Sequence, residues 1–183
     1  NHARLEEAMR SNLPKAAADG VPNVITFSGN RAGMGDEEAI ENCVAFLRRV
    51  KAEAEDRQVT ICMEYLNSKV NHADYQFDNM RFGVEVCKRA GSPRVKILYD
   101  IYHAQIMEGD IIRTIRGNIG WIGHFHTAGN PGRHEFDDTQ EMNYRGIARA
   151  IADLGFTGWV SHEYSPLRDP LESLEAALKI CEV

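Results

Sequence analysis

Short apolar runs alternate with longer amphipathic stretches along the whole chain. The apolar runs are 23–27, 59–65, 95–99, 119–126 and 158–164, each rich in β-branched or aromatic residues. They stay apolar for most of their length, as strands covered on both faces must. The stretches between them carry helix punctuation. Asp36 is a plausible N-cap for a helix from Glu37 to about Glu55, with acids early and Arg48, Arg49 and Lys51 late, matching the helix dipole. Tyr75 to Ala90 reads as a helix stopped by Gly91, Ser92 and Pro93. A short helix is predicted over 108–116, another from Asn143 to Leu154 ahead of Gly155, and a last one with Asp169 as N-cap and Pro170 at its first position. His2 to Ala18 is helical in pattern, while 28–35 and 128–140 read as loops, the first rich in glycine and the second polar.

Five strands, each followed by a helix, predict an α/β fold with a parallel sheet. Two architectures fit: a doubly wound sheet, or part of a (β/α)8 TIM barrel. A complete barrel takes about 250 residues in eight units, so five units in 183 residues do not close one. The ends of the strands favour the barrel. Four successive apolar runs finish on or beside Glu64, Asp100, His126 and Glu163, spaced 36, 26 and 37 residues apart, about one strand plus one crossover helix. A doubly wound sheet concentrates its site at one switch point, whereas a barrel draws on every strand end.

Those four residues are the candidate site. Parallel strands at this repeat aim their C-terminal ends at one face, where three carboxylates and an imidazole suit a divalent cation. A charge after so apolar a run costs stability unless it is paired or metal-bound; the alternative is four unrelated, solvated loop residues. His103, three residues beyond Asp100, is placed to reach a substrate, or else to bind a backbone carbonyl. His124 lies on the same face of its strand as His126 but one layer deeper, and reads as a packed core histidine. Arg133 offers a planar fork for a carboxylate or phosphate, or else a surface ion pair with Glu135 or Asp137. The glycine-rich loop before Asp36 could hold an anion at a helix N-terminus, but it matches neither a dinucleotide fingerprint nor a P-loop and reads as a connection.

Composition narrows the classes. A formal charge of −6 argues against a strongly basic nucleic-acid surface, and no apolar run approaches the roughly 20 residues that span a bilayer. Cys43, Cys62, Cys87 and Cys181 lie far apart inside apolar patterns with no C-x-x-C pair, as small core residues of a reducing compartment would. A cytoplasmic location is the expectation, although the chain opens on Asn1 rather than Met and reads as a fragment.

Taken together, Met63 and Glu64; Asp100, His103 and Gln105; Gly123 to His126; Pro131 to Glu135; Glu141 to Tyr144; and Gly158 to Tyr164 resemble the xylose-isomerase-like TIM barrels, and within them hydroxypyruvate isomerase and the ketose 3-epimerases. The resemblance covers nearly the whole chain and implies one domain, residues 1–183, corresponding to strands four to eight of the barrel, with the first three missing. It implies metal ligation by Glu64, Asp100, His126 and Glu163, acid–base catalysis by Glu64 and Glu163, and substrate contact by His103 and Arg133. The implied cofactor is Mn2+ or Mg2+, with Co2+ or Zn2+ as alternatives. The implied activity is isomerisation of a hydroxy-carbonyl compound through an enediolate, with epimerisation of a ketose as the alternative; the partner is a small sugar-like substrate, with no nucleic acid or membrane, and a homo-oligomer is compatible. Part of the hydroxypyruvate isomerase branch carries an amide where this chain keeps His126, which favours metal and leaves the substrate open. The same superfamily contains three-zinc apurinic-site endonucleases, but those need additional histidines and an Asp-x-His pair where this chain has Gly132 before Arg133 and His134.

Overall fold

The computed structural model describes residues 2–183. Helix α1 (His2–Ala18) leads into strand β1 (Asn23–Thr26), and α2 (Asp36–Arg57) carries the chain to β2 (Thr60–Glu64). Then come α3 (Met80–Ala90), β3 (Val95–Asp100), α4 (Ile101–Met107), α5 (Ile111–Asn118), a 3-10 turn (Ile119–Trp121), β4 (Ile122–Thr127), α6 (Tyr144–Asp153), β5 (Trp159–His162) and α7 (Pro170–Cys181). Among the described residues the strands form one sheet in the order β1-β2-β3-β4-β5, every pair parallel. A sheet wound one way with no reversal of strand order has no switch point, so the doubly wound alternative falls and the architecture is a partial (β/α) barrel.

Burial explains the strand composition. All five residues of β2 are buried, Ile61, Ile97 and Phe125 are 0% exposed, and α2 and α3 close the outer face through Leu47, Val50, Phe82 and Val86. Gly83 brings α3 close to the sheet: a Cβ there would lie 2.6 Å from Phe77 Cε2 and 2.9 Å from Ile97 Cδ1. The outer strands differ. Ile25 on β1 and Phe27 just after it are 45% and 55% exposed, and Trp159 on β5 is 60% exposed. Their free edges are where further strands of a closed barrel would pair. No helix of the described residues is long and apolar enough to cross a membrane.

Several predicted elements shift. The helix expected from Tyr75 starts at Met80, capped by Asn79, whose side chain accepts the Phe82 N–H; Tyr75 instead bridges to Asn30 and its hydroxyl donates to the Glu64 carbonyl. Asp36 does not cap α2, whose N-cap is Gly35; its carboxylate takes Arg31 and Gln76 from the neighbouring loops. The strand expected from Ile119 begins only at Ile122, after the 3-10 turn. Between β3 and the helix predicted over 108–116 the chain forms an additional helix, α4, that the sequence pattern does not announce. The Asp169 cap with Pro170 behind it stands as predicted.

Candidate metal centre and substrate cleft

The parallel register sets the site. Asp100 at the end of β3 lies directly across from His126 on β4, Glu64 ends β2, and Glu163 follows β5 with its N–H on the Thr127 carbonyl. Asp100 also caps α4. Its Oδ1 accepts the His103 N–H at 3.1 Å, which turns His103 back toward the strand ends.

Glu64, Asp100, His126 and Glu163 each contribute one ligand atom to a group lying within 4.8 Å of one another. From His126 Nδ1 the distances are 3.0 Å to Glu163 Oε2, 3.4 Å to Glu64 Oε1 and 4.0 Å to Asp100 Oδ2. Ligands about 2.1 Å from a shared ion stand roughly 3.0 Å apart at right angles and 4.2 Å apart when opposite, and all three distances fall in that interval. His126 Nδ1 is buried yet meets none of these oxygens at hydrogen-bonding geometry; the atoms are gathered around a point without being joined to each other. The donor set therefore fits a divalent cation.

The site's charges balance without a metal. Burial pushes the Asp100 carboxyl up to about 7, against the pull of Arg133. Burial also opposes charge on His126, but Glu163 and Glu64 win and raise it to about 9. The His126 ring, seconded by Arg133, holds Glu163 down to about 2. A cation bound here would have to displace the His126 proton, since only neutral imidazole ligates.

Arg133 sits on the rim. Its Nη2 reaches Asp100 Oδ2 at 3.2 Å and Glu163 Oε2 at 2.5 Å, and the guanidinium carbon lies 5.1 Å from the Tyr102 ring centre. The surface pair expected with Glu135 or Asp137 does not form; Arg168 takes Asp137 at 3.2 Å, and Glu135 is 4% exposed, accepting from the Leu167 and Arg168 N–H groups and the Ser173 hydroxyl. Arg133 has φ of +58°, strained for a residue with a side chain. Its N–H to the Gly129 carbonyl and its own carbonyl to the Ser165 N–H, both 2.9 Å, hold it there.

Glu64, His103, Arg133 and Glu163 line a cleft of about 350 Å³ with Phe27, Leu66, His72, Tyr164 and Ser165. His103 is 0% exposed, and burial, with Arg133 beside it, pushes its ring down to about 3, so it is neutral. His124 is half-buried, its Nδ1 3.1 Å from the Asn23 amide, as a structural residue would be. His72, which lines the cleft, and Asn67 and Tyr102, which pack behind it around His103, carry no signal in the sequence alone: only tertiary folding brings them together.

The family profile described as xylose isomerase-like TIM barrel matches residues 3–181. A 2-oxo-tetronate isomerase from Cupriavidus necator is 36% identical over 108 residues, covering 59% of this chain and 41% of the relative. A putative hydroxypyruvate isomerase from Homo sapiens is 27% identical over 177 residues, covering 94% of this chain and 64% of the relative. Among solved structures, an AP endonuclease, family 2, from Brucella melitensis superposes with a TM-score of 0.81 at 28% identity, over 92% of this chain and 66% of that one. The chain thus spans less than two thirds of the length of these curated relatives. A profile match of that extent, on a sheet whose strand order had already excluded the doubly wound alternative, makes this chain a member of the xylose isomerase-like TIM barrel family.

Proposed function

We propose that the protein is a metal-dependent isomerase of a small hydroxy-carbonyl compound, similar to hydroxypyruvate isomerase, working by proton transfer next to a carbonyl. One observation carries the reading: Glu64, Asp100, His126 and Glu163 gather their ligand atoms within 4.8 Å at the floor of a cleft rimmed by His103 and Arg133. These four residues would hold a divalent cation, Mn2+ or Mg2+ in the first instance. When bound, the cation polarises the substrate carbonyl and offsets negative charge as it develops on oxygen.

The protein's own groups do the rest. Glu64 and Glu163 flank the substrate, one removing a proton from carbon and the other returning one. For hydroxypyruvate, a proton leaves C3 and one is delivered to C2, while the hydroxyl proton passes from the oxygen on C3 to the oxygen on C2, giving tartronate semialdehyde. Each carboxylate keeps one oxygen for the proton while the other faces the ligand cluster. Arg133, freed from Asp100 and Glu163, holds a hydroxyl or carboxylate of the substrate. The five units correspond to the last five of a barrel, and the exposed edges at β1 and β5 support further units beside them. Mass spectrometry and sedimentation of the purified protein test this; a stable monomer whose intact mass equals 183 residues refutes it.

Glu64→Gln or Glu163→Gln is expected to abolish exchange of solvent deuterium into substrate. Exchange near the wild-type rate in either variant would overturn the acid–base assignment. Retention of His126 favours a second reading, epimerisation of a ketose at C3. The same exchange assay run on hydroxypyruvate, tagatose and fructose separates the two. An apurinic-site nuclease reading has less support, because among the described residues one group of ligands converges rather than three. Nicking of abasic duplex in the presence of zinc is expected to be absent.

A further inference from the structure

Gln105 and Glu141 stand out in the sequence yet take no part in the chemistry above, and the fold brings them together. Glu141 Oε1 accepts from Asn130 Nδ2 at 2.6 Å and from Gln105 Nε2 at 3.3 Å. The Glu141 N–H goes to the Asn130 carbonyl at 2.7 Å. Asn130, 7% exposed, is thus held by Glu141 at both its side chain and its backbone. Glu141 is itself exposed, but its neighbours fix its place. The Gln140 amide bonds both the N–H and the carbonyl of buried Met142, each at 2.8 Å. Asn143 caps α6 by accepting the Gly146 N–H at 3.0 Å.

The two side chains on Glu141 come from two elements of the cleft. Gln105 lies on α4, two residues past His103, and Asn130 lies in the tight turn that carries Arg133. In that turn the Gly129 N–H goes to the His134 carbonyl and the Arg133 N–H to the Gly129 carbonyl, both at 2.9 Å. A Cβ at Gly129 would run into the Glu135 carbonyl, so the turn closes only over glycine. Tyr144 holds its root: the hydroxyl accepts the Ala128 N–H at 3.0 Å and donates to the Ala128 carbonyl at 2.7 Å. The Tyr144 ring stacks on Phe136 with centroids 4.0 Å apart. A turn tied so closely moves as a unit, and a shift at Asn130 carries Arg133 with it. Among the described residues, only Glu141 joins α4 to this turn by hydrogen bonds outside the cleft.

We propose that Glu141 is a positioning residue that ties α4 to the Arg133 turn and so sets where Arg133 stands in the cleft. Glu141 does not line the cleft and acts only through Asn130 and Gln105. Both partners offer amide N–H groups, which only donate, so a single carboxylate oxygen serves the two together. Without it the buried Asn130 amide loses its acceptor, and the turn is free to shift against α4. The consequence for substrate binding rests on the isomerase reading; the tie between α4 and the turn does not.

Amide hydrogen exchange followed by NMR, together with steady-state kinetics, tests this on the purified protein. Glu141→Ala is expected to speed exchange at the Gly129 and Arg133 N–H groups by roughly tenfold, the scale of one lost hydrogen bond to a charged group. The amides of β3 and the thermal midpoint should stay as in wild type, because Glu141 is exposed. KM should rise by about the same factor with kcat nearly unchanged, since the substrate group that Arg133 holds keeps its charge through the reaction. Mn2+ affinity, read by titration calorimetry, should not move. Glu141→Gln keeps an oxygen for Asn130 and is expected to recover both the exchange rates and KM. Unchanged exchange in Glu141→Ala, faster exchange with KM unmoved, or no recovery in Glu141→Gln overturns the proposal. The exchange measurement needs no substrate. A wild type that turns over none of the substrates tried would therefore tell against the isomerase reading, while the exchange rates still decide whether Glu141 holds the turn.

Discussion

Asp100→Asn should have opposite effects on the metal-free and the metal-loaded protein. Asp100 is 1% exposed, and burial raises its carboxyl from 3.8 to about 7. A folded-state value above the unfolded one means that this group's contribution is fully present below about pH 4 and is lost as pH rises through 7. The shift corresponds to a cost on the order of 4 kcal/mol for keeping the side chain ionised at pH 8. Asparagine removes that cost and keeps Oδ1 for the His103 N–H, but loses an acceptor for Arg133, worth about 1–2 kcal/mol. The metal-free variant should therefore be about 2–3 kcal/mol more stable than wild type at pH 8, and no more stable near pH 4. With a divalent cation the order reverses. A cation at 100 times its dissociation constant adds about 2.7 kcal/mol, roughly 7 °C for a chain of this length. Asp100→Asn removes one of three carboxylate ligands and should reduce that shift to about 1 °C. Melting curves followed by circular dichroism, in chelator and in Mn2+, measure both effects. A variant that melts lower than wild type in chelator at pH 8 would show that Arg133 already satisfies the buried charge. A full metal shift in the variant would place the cation elsewhere.

Two further changes test the scaffold around the site. Gly83→Ala pushes a methyl group into Phe77 and Ile97, under 3 Å from both; overpacking of about 2–3 kcal/mol, less roughly 1 kcal/mol gained in helix propensity, leaves a net loss of about 1–2 kcal/mol in urea unfolding. An unchanged midpoint would mean the Phe77 ring has room to turn. Burial would raise the Glu135 carboxyl, but the N–H groups of Leu167 and Arg168 and the Ser173 hydroxyl outweigh it and hold it below its ordinary value. Its contribution is present above about pH 4.5 and is lost as pH falls through the lower folded-state value. Glu135→Gln should lose about 1 kcal/mol at pH 7 and converge on wild type in acid, and a constant difference across an acid titration of stability would contradict this.

What could be read from the sequence is what the strands carry. Glu64, Asp100, His126 and Glu163 are legible because each ends or follows an apolar run, buried in β2, β3 and β4 and partly exposed in β5, and a parallel sheet makes chain spacing into spatial convergence. His103 is legible at one remove, three residues past Asp100, although the reason it faces the site is the unpredicted helix α4 that Asp100 caps. Arg133 is legible by its chemistry, but its chain neighbours mislead about its partners. Glu135 and Asp137 lie close to it in sequence, whereas the strained turn at Arg133 sends its side chain back to Asp100 and Glu163. Asn67 marks where sequence reading stops. It lies in a stretch that reads as a polar loop, and its oxygen is spent on two backbone N–H groups of that same loop. Only the tertiary approach of α4 brings His103 against the remaining amide hydrogens. A strand end announces its side chain through the pattern leading up to it, whereas a loop residue acquires its role from whatever packs against it, and no local pattern encodes that partner.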